Sequence, residues 1–175
     1  MNELTLKKVH SGDVVGEKFI NKNLLVRSAT TAHDLSATDR DLTVIYTGEQ
    51  AGDITLPQAT AQNVGMKIKI IFAADCSGTA FKLGYASGGS TVMFGTLDVT
   101  STGSPTLDAV VSFPITDNAK NLVMDDDAVA TAGGAKGSMY TFCYYGSNTV
   151  HVYGRGIVTT GTIATDASAS VTGGI

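Results

Sequence analysis

The sequence MYTFCYYGSNTVHVY, residues 139–153, decides the fold class of this chain because it reads as a complete β-hairpin. Two runs rich in Tyr, Phe, Thr and Val, residues favoured in strands, flank a Gly-Ser-Asn turn. Strand side chains alternate, so Val150 and Val152 share one face of the second run, while His151 and Tyr153 share the other. The stretch therefore predicts two antiparallel strands with one apolar face.

The same alternation recurs from Met66 to Ile70, where apolar residues alternate with Lys67 and Lys69 on one face. Runs of β-branched and aromatic residues, bounded by Gly, Asn, Asp and Ser, predict further strands at Leu42–Tyr46, Asp53–Ala59, Phe81–Tyr85, Thr91–Val99, Leu107–Phe113 and Asn121–Met124. No span has a sustained helical period. We expect an all-β fold, either an antiparallel β-sandwich or a small barrel, jelly-roll-like in form.

The 175 residues predict one domain with three regions of different composition. Residues 1–40 are polar and predict an extended N-terminal arm with one short ordered element around Phe19 to Val26. Residues 41–156 form the β body. Residues 157–175 form a C-terminal tail of small residues, for which two interpretations stay open. The tail is either disordered or adds a strand, Ile157 to Ile163, to a neighbouring subunit.

Bulk properties argue against two classes of partner. The net charge of −4 and the isoelectric point of about 5.2 do not favour binding to nucleic acid, which requires a basic surface. No hydrophobic run is long enough to cross a membrane, and the first residues lack the apolar core of a signal peptide. We therefore expect a protein made in a cytoplasm, with neither a membrane nor a nucleic acid as its partner.

Motifs for metals, cofactors and catalysis are weak or missing. The acidic run Asp125–Asp127 lacks the spacing of a calcium loop, and a solvated loop is the better interpretation. There is neither a paired Cys or His motif for zinc nor a Gly-x-Ser-x-Gly nucleophile turn. The glycine-rich segment Gly84–Gly89 does not precede a predicted helix, as a phosphate-binding loop would. We expect no cofactor and no enzyme activity, although carboxylates that meet only in the folded chain stay open.

The two cysteines, Cys76 and Cys143, are expected to be reduced and half-buried, with a disulfide between them as the open alternative.

Aromatic residues on the predicted hairpin suggest a core and an interface. Tyr140 and Tyr144 share a face with Phe142, a pattern typical of a sandwich core. The opposite face of the hairpin is expected to be exposed or buried in an oligomer. The residues predicted to contribute to a subunit interface are Tyr140, Tyr144, His151 and Tyr153.

Three segments together resemble a known class of proteins. They are ITLPQA at 54–59, VGMKIKI at 64–70, and the pattern Gly-x-Asn-x-Val-x-Val-x-Gly that begins at Gly146. They resemble β-modules of virion proteins from tailed bacteriophages, most of all capsid decoration (cement) proteins. The chain departs from the pattern at Val150, where such proteins usually carry Trp.

The resemblance implies a homotrimer on the capsid surface of the virion, bound to the major capsid protein where its subunits meet. The arm would then contact the shell through its apolar residues, Leu4, Leu6, Val9, Phe19, Ile20, Leu24 and Leu25. The alternative within the virion class is a tail or head-fibre module that binds a host receptor or a surface glycan. A secreted carbohydrate-binding or hydrolytic β-sandwich is a more distant alternative. The length and the lack of a long helix disfavour a major capsid protein.

Overall fold

The computed structural model describes residues 17–21, 24–28, 31–36, 41–48, 52–75, 81–86, 89–101, 110–125, 133–158, 161–165 and 170–173. These residues form strands, turns and bends, and no helix lies among them. The fourteen described strands are β1 (Glu17–Asn21), β2 (Leu24–Arg27), β3 (His33–Asp34), β4 (Leu42–Tyr46), β5 (Ile54–Leu56), β6 (Lys67–Phe72), β7 (Phe81–Tyr85), β8 (Val92–Ser101), β9 (Val110–Ala119), β10 (Asn121–Asp125), β11 (Met139–Tyr144), β12 (Thr149–Val158), β13 (Gly161–Thr165) and β14 (Ser170–Gly173).

The strands form two sheets. The larger sheet has eight strands in the order β1-β2-β4-β6-β11-β12-β8-β9, and the smaller has six in the order β14-β13-β10-β7-β5-β3. Neither sheet closes into a barrel within the described part of the chain. The all-β prediction is therefore consistent with the structure.

Both sheets are mixed, and the expectation of purely antiparallel pairing was wrong. The pairs β2–β4, β4–β6 and β8–β12 are parallel in the larger sheet, and β3–β5 and β5–β7 are parallel in the smaller. The cause is the path of the chain, since β2 to β7 alternate between the two sheets. When the chain returns to a sheet, the new strand runs in the same direction as the last strand that the chain formed in that sheet. These neighbouring strands are therefore parallel.

Most strands lie where the sequence predicts them. The strands Leu42–Tyr46 and Phe81–Tyr85 have the expected bounds, and the predicted hairpin is formed by β11 and β12. β9 begins at Val110 and continues to Ala119, six residues beyond the predicted end at Phe113. Residues 107–109 lie outside the described residues.

The C-terminal region joins the body of the same chain. β12 continues to Val158, so the expected boundary between residues 156 and 157 falls inside a strand. β13 then pairs antiparallel with β10, with Ile163 opposite Met124, and β14 pairs with β13. The described part of the tail therefore extends the smaller sheet.

One hydrophobic core joins the two sheets. Apolar residues of both sheets belong to a single buried cluster. Phe72 of the larger sheet and Phe81 of the smaller have ring centroids 5.9 Å apart, and the Tyr46 ring stacks on Phe72 at 5.6 Å. Burying a large apolar side chain contributes about 1.5–3 kcal/mol, so this shared cluster is the main contribution to stability.

Gly95 allows a close approach between β8 and β12. Its φ of 141° is one that side-chain-bearing residues rarely adopt, and a Cβ placed there would collide with the backbone oxygen of Val152. The pairing of β8 with β9 shifts its register at this point. Glycine here keeps β8 in register with β12 and so sets the position of the neighbouring Phe94.

Candidate binding face on the larger sheet

The strongest candidate site lies on the outer face of the larger sheet, the face turned away from the shared core. The strand register brings distant residues together there. Thr43, Lys69, Thr141 and Tyr153 form one row across β4, β6, β11 and β12. The row is fixed because each of these strands is hydrogen-bonded to a neighbour on both sides.

A groove of about 420 Å³ follows this row. It is lined by Asp41, Leu42, Thr43, Lys67, Lys69, Met139, Thr141 and Tyr153. Thr141 is only 7% exposed and forms part of the floor, while Tyr153 is 46% exposed and stands at one end. Three strand spacings separate β4 from β12, so the groove is about 14 Å long.

Two lysines carry the charge of the groove. Lys67 is exposed and Lys69 half-buried, on the same face of β6 as the alternation predicts. Asp41, at the start of β4, contributes one carboxylate at the opposite end from Tyr153. Among the described residues, no hydrogen bond or ion pair engages the side chains of Lys67, Lys69 or Asp41. The groove therefore carries a net positive charge that is open to a ligand.

An aromatic row lies beside the groove, formed by Tyr145, Phe94, His151 and Tyr153. The Phe94 ring meets Tyr145 edge-on at 6.2 Å and His151 at 5.0 Å. His151 in turn lies 5.8 Å from Tyr153, and Tyr145 is 75% exposed. Exposed aromatic groups that are held in contact favour recognition of another molecule.

The residues predicted for a subunit interface fall on two different faces. Tyr140 and Tyr144 are buried in the shared core, where their hydroxyls donate to the backbone oxygens of Gly133 at 2.7 Å and Pro57 at 2.8 Å. His151 and Tyr153 lie on the outer face, in the aromatic row. The structure thus separates the four residues, and the interface itself stays a prediction.

Burial also controls the ionisation of the inner tyrosines. Loss of solvent raises the pKa of Tyr144 well above its ordinary value. Burial raises the pKa of Tyr85 as well, with a further contribution from the neighbouring Tyr144. The Tyr85 hydroxyl lies near Tyr144 but is buried without a hydrogen bond of good geometry. Both phenols therefore stay neutral and serve the core.

The residues predicted to contact a capsid are only partly described. Leu25 is 4% exposed and belongs to the core, while Leu24 is half-buried. Phe19 and Ile20 lie in β1, at the edge of the larger sheet, where the structure describes only the backbone. Leu4, Leu6 and Val9 lie outside the described residues.

Cys143 is a free, half-buried thiol on β11, as expected, and Cys76 lies outside the described residues. In the described part of the chain, no three His, Cys, Asp or Glu side chains lie close enough together to hold a metal ion. Nor does any described residue belong to a helix that could span a membrane.

A second, smaller cavity of about 200 Å³ lies on the smaller sheet. Asp53, Thr55, Lys82 and Asn121 contribute to its lining. The Asp53 carboxylate already takes part in the fold, since its Oδ1 accepts a hydrogen bond from the backbone N–H of Lys82 at 2.8 Å. The groove on the larger sheet is therefore the better candidate for a binding site.

Comparison with known proteins finds no matching family model, no matching curated protein and no matching solved structure. The functional argument therefore depends on the geometry of the chain and on the resemblance of its three segments. Sequence reasoning identified the two lysines and Tyr153 separately. It missed the groove because Thr141 lies between Lys69 and Tyr153 only through the register of β6, β11 and β12. The alternation of apolar and polar residues along one strand does not specify that register.

Proposed function

We propose that this chain is a virion structural protein that decorates the head of a tailed bacteriophage and stabilises the assembled shell. The resemblance to decoration proteins supports the proposal. β6 and β12, which contain parts of two of the segments, lie on either side of β11 in the larger sheet, and the ITLPQA segment contains β5 of the smaller sheet. The single core shared by the two sheets also supports the finer prediction of a sandwich over a barrel.

The observation that carries the proposal is the attachment of the N-terminal region to the body. β2 is paired in register with β4, and Leu25 fills a place in the core. The backbone oxygen of Arg27 strengthens the attachment, because it accepts the Thr47 N–H at 2.8 Å and the Thr47 hydroxyl at 3.2 Å. Residues 1–16 precede β1, the edge strand of the sheet, so an arm would start from a fixed point on a rigid body.

We assign the shell contacts to this arm, above all to Leu4, Leu6 and Val9, with β1 as its base. A protein that binds only the assembled shell stabilises that shell. The stabilisation grows with the logarithm of the ratio between the free protein concentration and Kd. In a homotrimer three arms act together, so weak single contacts give tight overall binding. The exposed Tyr145 and the half-buried Phe94 and His151 supply an aromatic surface for contacts between copies.

The experiment is co-sedimentation of a truncated chain with phage heads that lack the protein. The truncation removes residues 1–16 only, because β2 and β3 belong to the two sheets and a longer deletion would remove part of the body. We expect the full chain to pellet with heads, and the truncated chain to stay in the supernatant with an unchanged melting temperature. Undiminished binding by the truncated chain would refute the role of the arm. A full chain that ignores heads and binds cells would favour the tail or head-fibre alternative.

A further inference from the structure

We propose that the groove on the outer face of the larger sheet binds an acidic saccharide, a sugar chain that carries carboxylates. The inference depends on the groove alone and does not rest on the proposed function. It assigns a ligand to side chains on the outer face, which do not pack in the core.

The shape of the groove comes from the order of side-chain sizes along one row. Thr141 is short and nearly buried, and it lies between the long side chains of Lys69 and Tyr153. Two strand spacings, about 9.5 Å, separate the backbones of those two residues. The row therefore forms a trough with an ammonium group on one side and an aromatic ring on the other.

The charges select an anion. Lys67 and Lys69 are two residues apart on one strand, so their backbones lie about 7 Å apart and both ammonium groups reach the same space. Such a concentration of positive charge contrasts with the net charge of −4 for the whole chain. A carboxylate placed between them gains two charge-assisted hydrogen bonds. Asp41 directly precedes β4, the strand beside β6, so its carboxylate lies on the lysine side of the groove, where it offsets one of the two positive charges and accepts hydrogen bonds from hydroxyl groups.

The remaining groups favour a sugar over a peptide. A peptide binds a sheet most readily by adding a strand at an edge, but β4, β6, β11 and β12 all have strand partners on both sides. The backbone of a peptide across this face would lose water without gaining a strand to pair with, and only a few side chains would replace that water. A sugar brings its own hydroxyls, which match those of Thr43 and Thr141, and an apolar ring face that packs on Tyr153.

The experiment is an NMR titration of the full ¹⁵N-labelled chain with trigalacturonate, with sialyllactose and with neutral maltotriose. We expect at least one acidic sugar to shift the amide signals of β6, β11 and β12, with at least tenfold weaker binding of maltotriose. The affinity should fall as salt rises, because screening weakens the contacts of the lysines. Failure of both acidic sugars to bind at millimolar concentration would overturn the inference.

Matched variants test the site. The double variant K67Q/K69Q should lose at least tenfold in affinity for the acidic sugar, while K82Q, on the smaller sheet, should bind like the parent chain. Y153F should bind and Y153A should not, because the ring supplies the packing surface. Equal losses in K67Q/K69Q and K82Q would overturn the inference, as would equally tight binding of a glutamate-rich peptide. Truncation of residues 1–16 leaves the groove intact. Loss of head binding by the truncated chain and loss of sugar binding by the lysine variants are therefore separate results, and either proposal can fail alone.

Discussion

Replacement of Leu25 by Ala tests whether the N-terminal region is part of the body or only an arm. Leu25 is 4% exposed in β2 and belongs to the shared core, whereas Leu24, the preceding residue, is half-buried. Truncating a buried Leu costs about 2–5 kcal/mol, because the lost transfer free energy adds to the cost of a cavity. For a chain of this size, that loss lowers the melting temperature by roughly 4–20 °C.

The assay is urea and thermal unfolding of L25A, with L24A as the matched control on the same strand. We expect L24A to lose about 1 kcal/mol or less, since its side chain is partly solvated before the change. The two unfolding slopes should agree, so that the difference in midpoint reports stability. If L25A lost no more than L24A, β2 would not be anchored in the core. The fixed origin of the arm, and with it the main support for capsid attachment, would then be lost.

Three further predictions concern the core. Y144F should lose about 1 kcal/mol of stability by equilibrium unfolding because Pro57 loses its donor, whereas Y85F should be neutral or slightly stabilising because it removes an unpaired hydroxyl. The contribution of Tyr85 and Tyr144 to the free energy of unfolding should be constant below pH 10 and should fall above it. Burial raises the folded-state pKa of Tyr85 and Tyr144, so these residues ionise at lower pH in the unfolded chain than in the folded one. The variant Y85F/Y144F should therefore lose less stability above pH 10 when unfolding is measured across a pH series. G95A should cost about 1–3 kcal/mol in the same assay, from strain and the clash with Val152; a loss below 0.5 kcal/mol would contradict the proposed close approach.

The alternation of side chains was enough to locate most strands, and the reason is physical. At Leu42–Tyr46 and at Lys67–Phe72, every second side chain is buried and the others face outward. Burial on one face is a local property of the strand, so the sequence records it directly. The same record predicted the buried face of the hairpin, where Val150 and Val152 are both fully buried.

The assignment of strands to sheets could not be predicted in this way. β4, β5 and β6 follow one another in the sequence, and each has apolar residues that alternate. β5 nevertheless lies in the other sheet, which makes β4 and β6 parallel neighbours. A loop that returns to the same sheet and one that crosses to the opposite sheet bury the same residues, so hydrophobic patterning does not distinguish them.

The resemblance and the groove concern opposite faces of the same strands. In the pattern Gly-x-Asn-x-Val-x-Val-x-Gly, the named valines are Val150 and Val152, which are fully buried in the core. His151 and Tyr153 fall at unnamed positions, and both lie on the outer face. The two named valines therefore specify how the hairpin packs, because their side chains meet the core.

The same division holds on β6, where the pattern Val-Gly-x-x-(Phe/Ile)-x-(Phe/Ile) names the buried Ile68 and Ile70 and leaves the outward Lys67 and Lys69 unnamed. A protein with this pattern keeps its packing whatever stands at the outward positions, since those side chains touch solvent or a ligand. The pattern thus supports a common architecture, while the choice of partner depends on the outward residues. In this chain the outward residues that line the groove are Lys67, Lys69 and Tyr153, and with the neighbouring Thr43 and Thr141 their chemistry favours an acidic, hydroxyl-rich ligand.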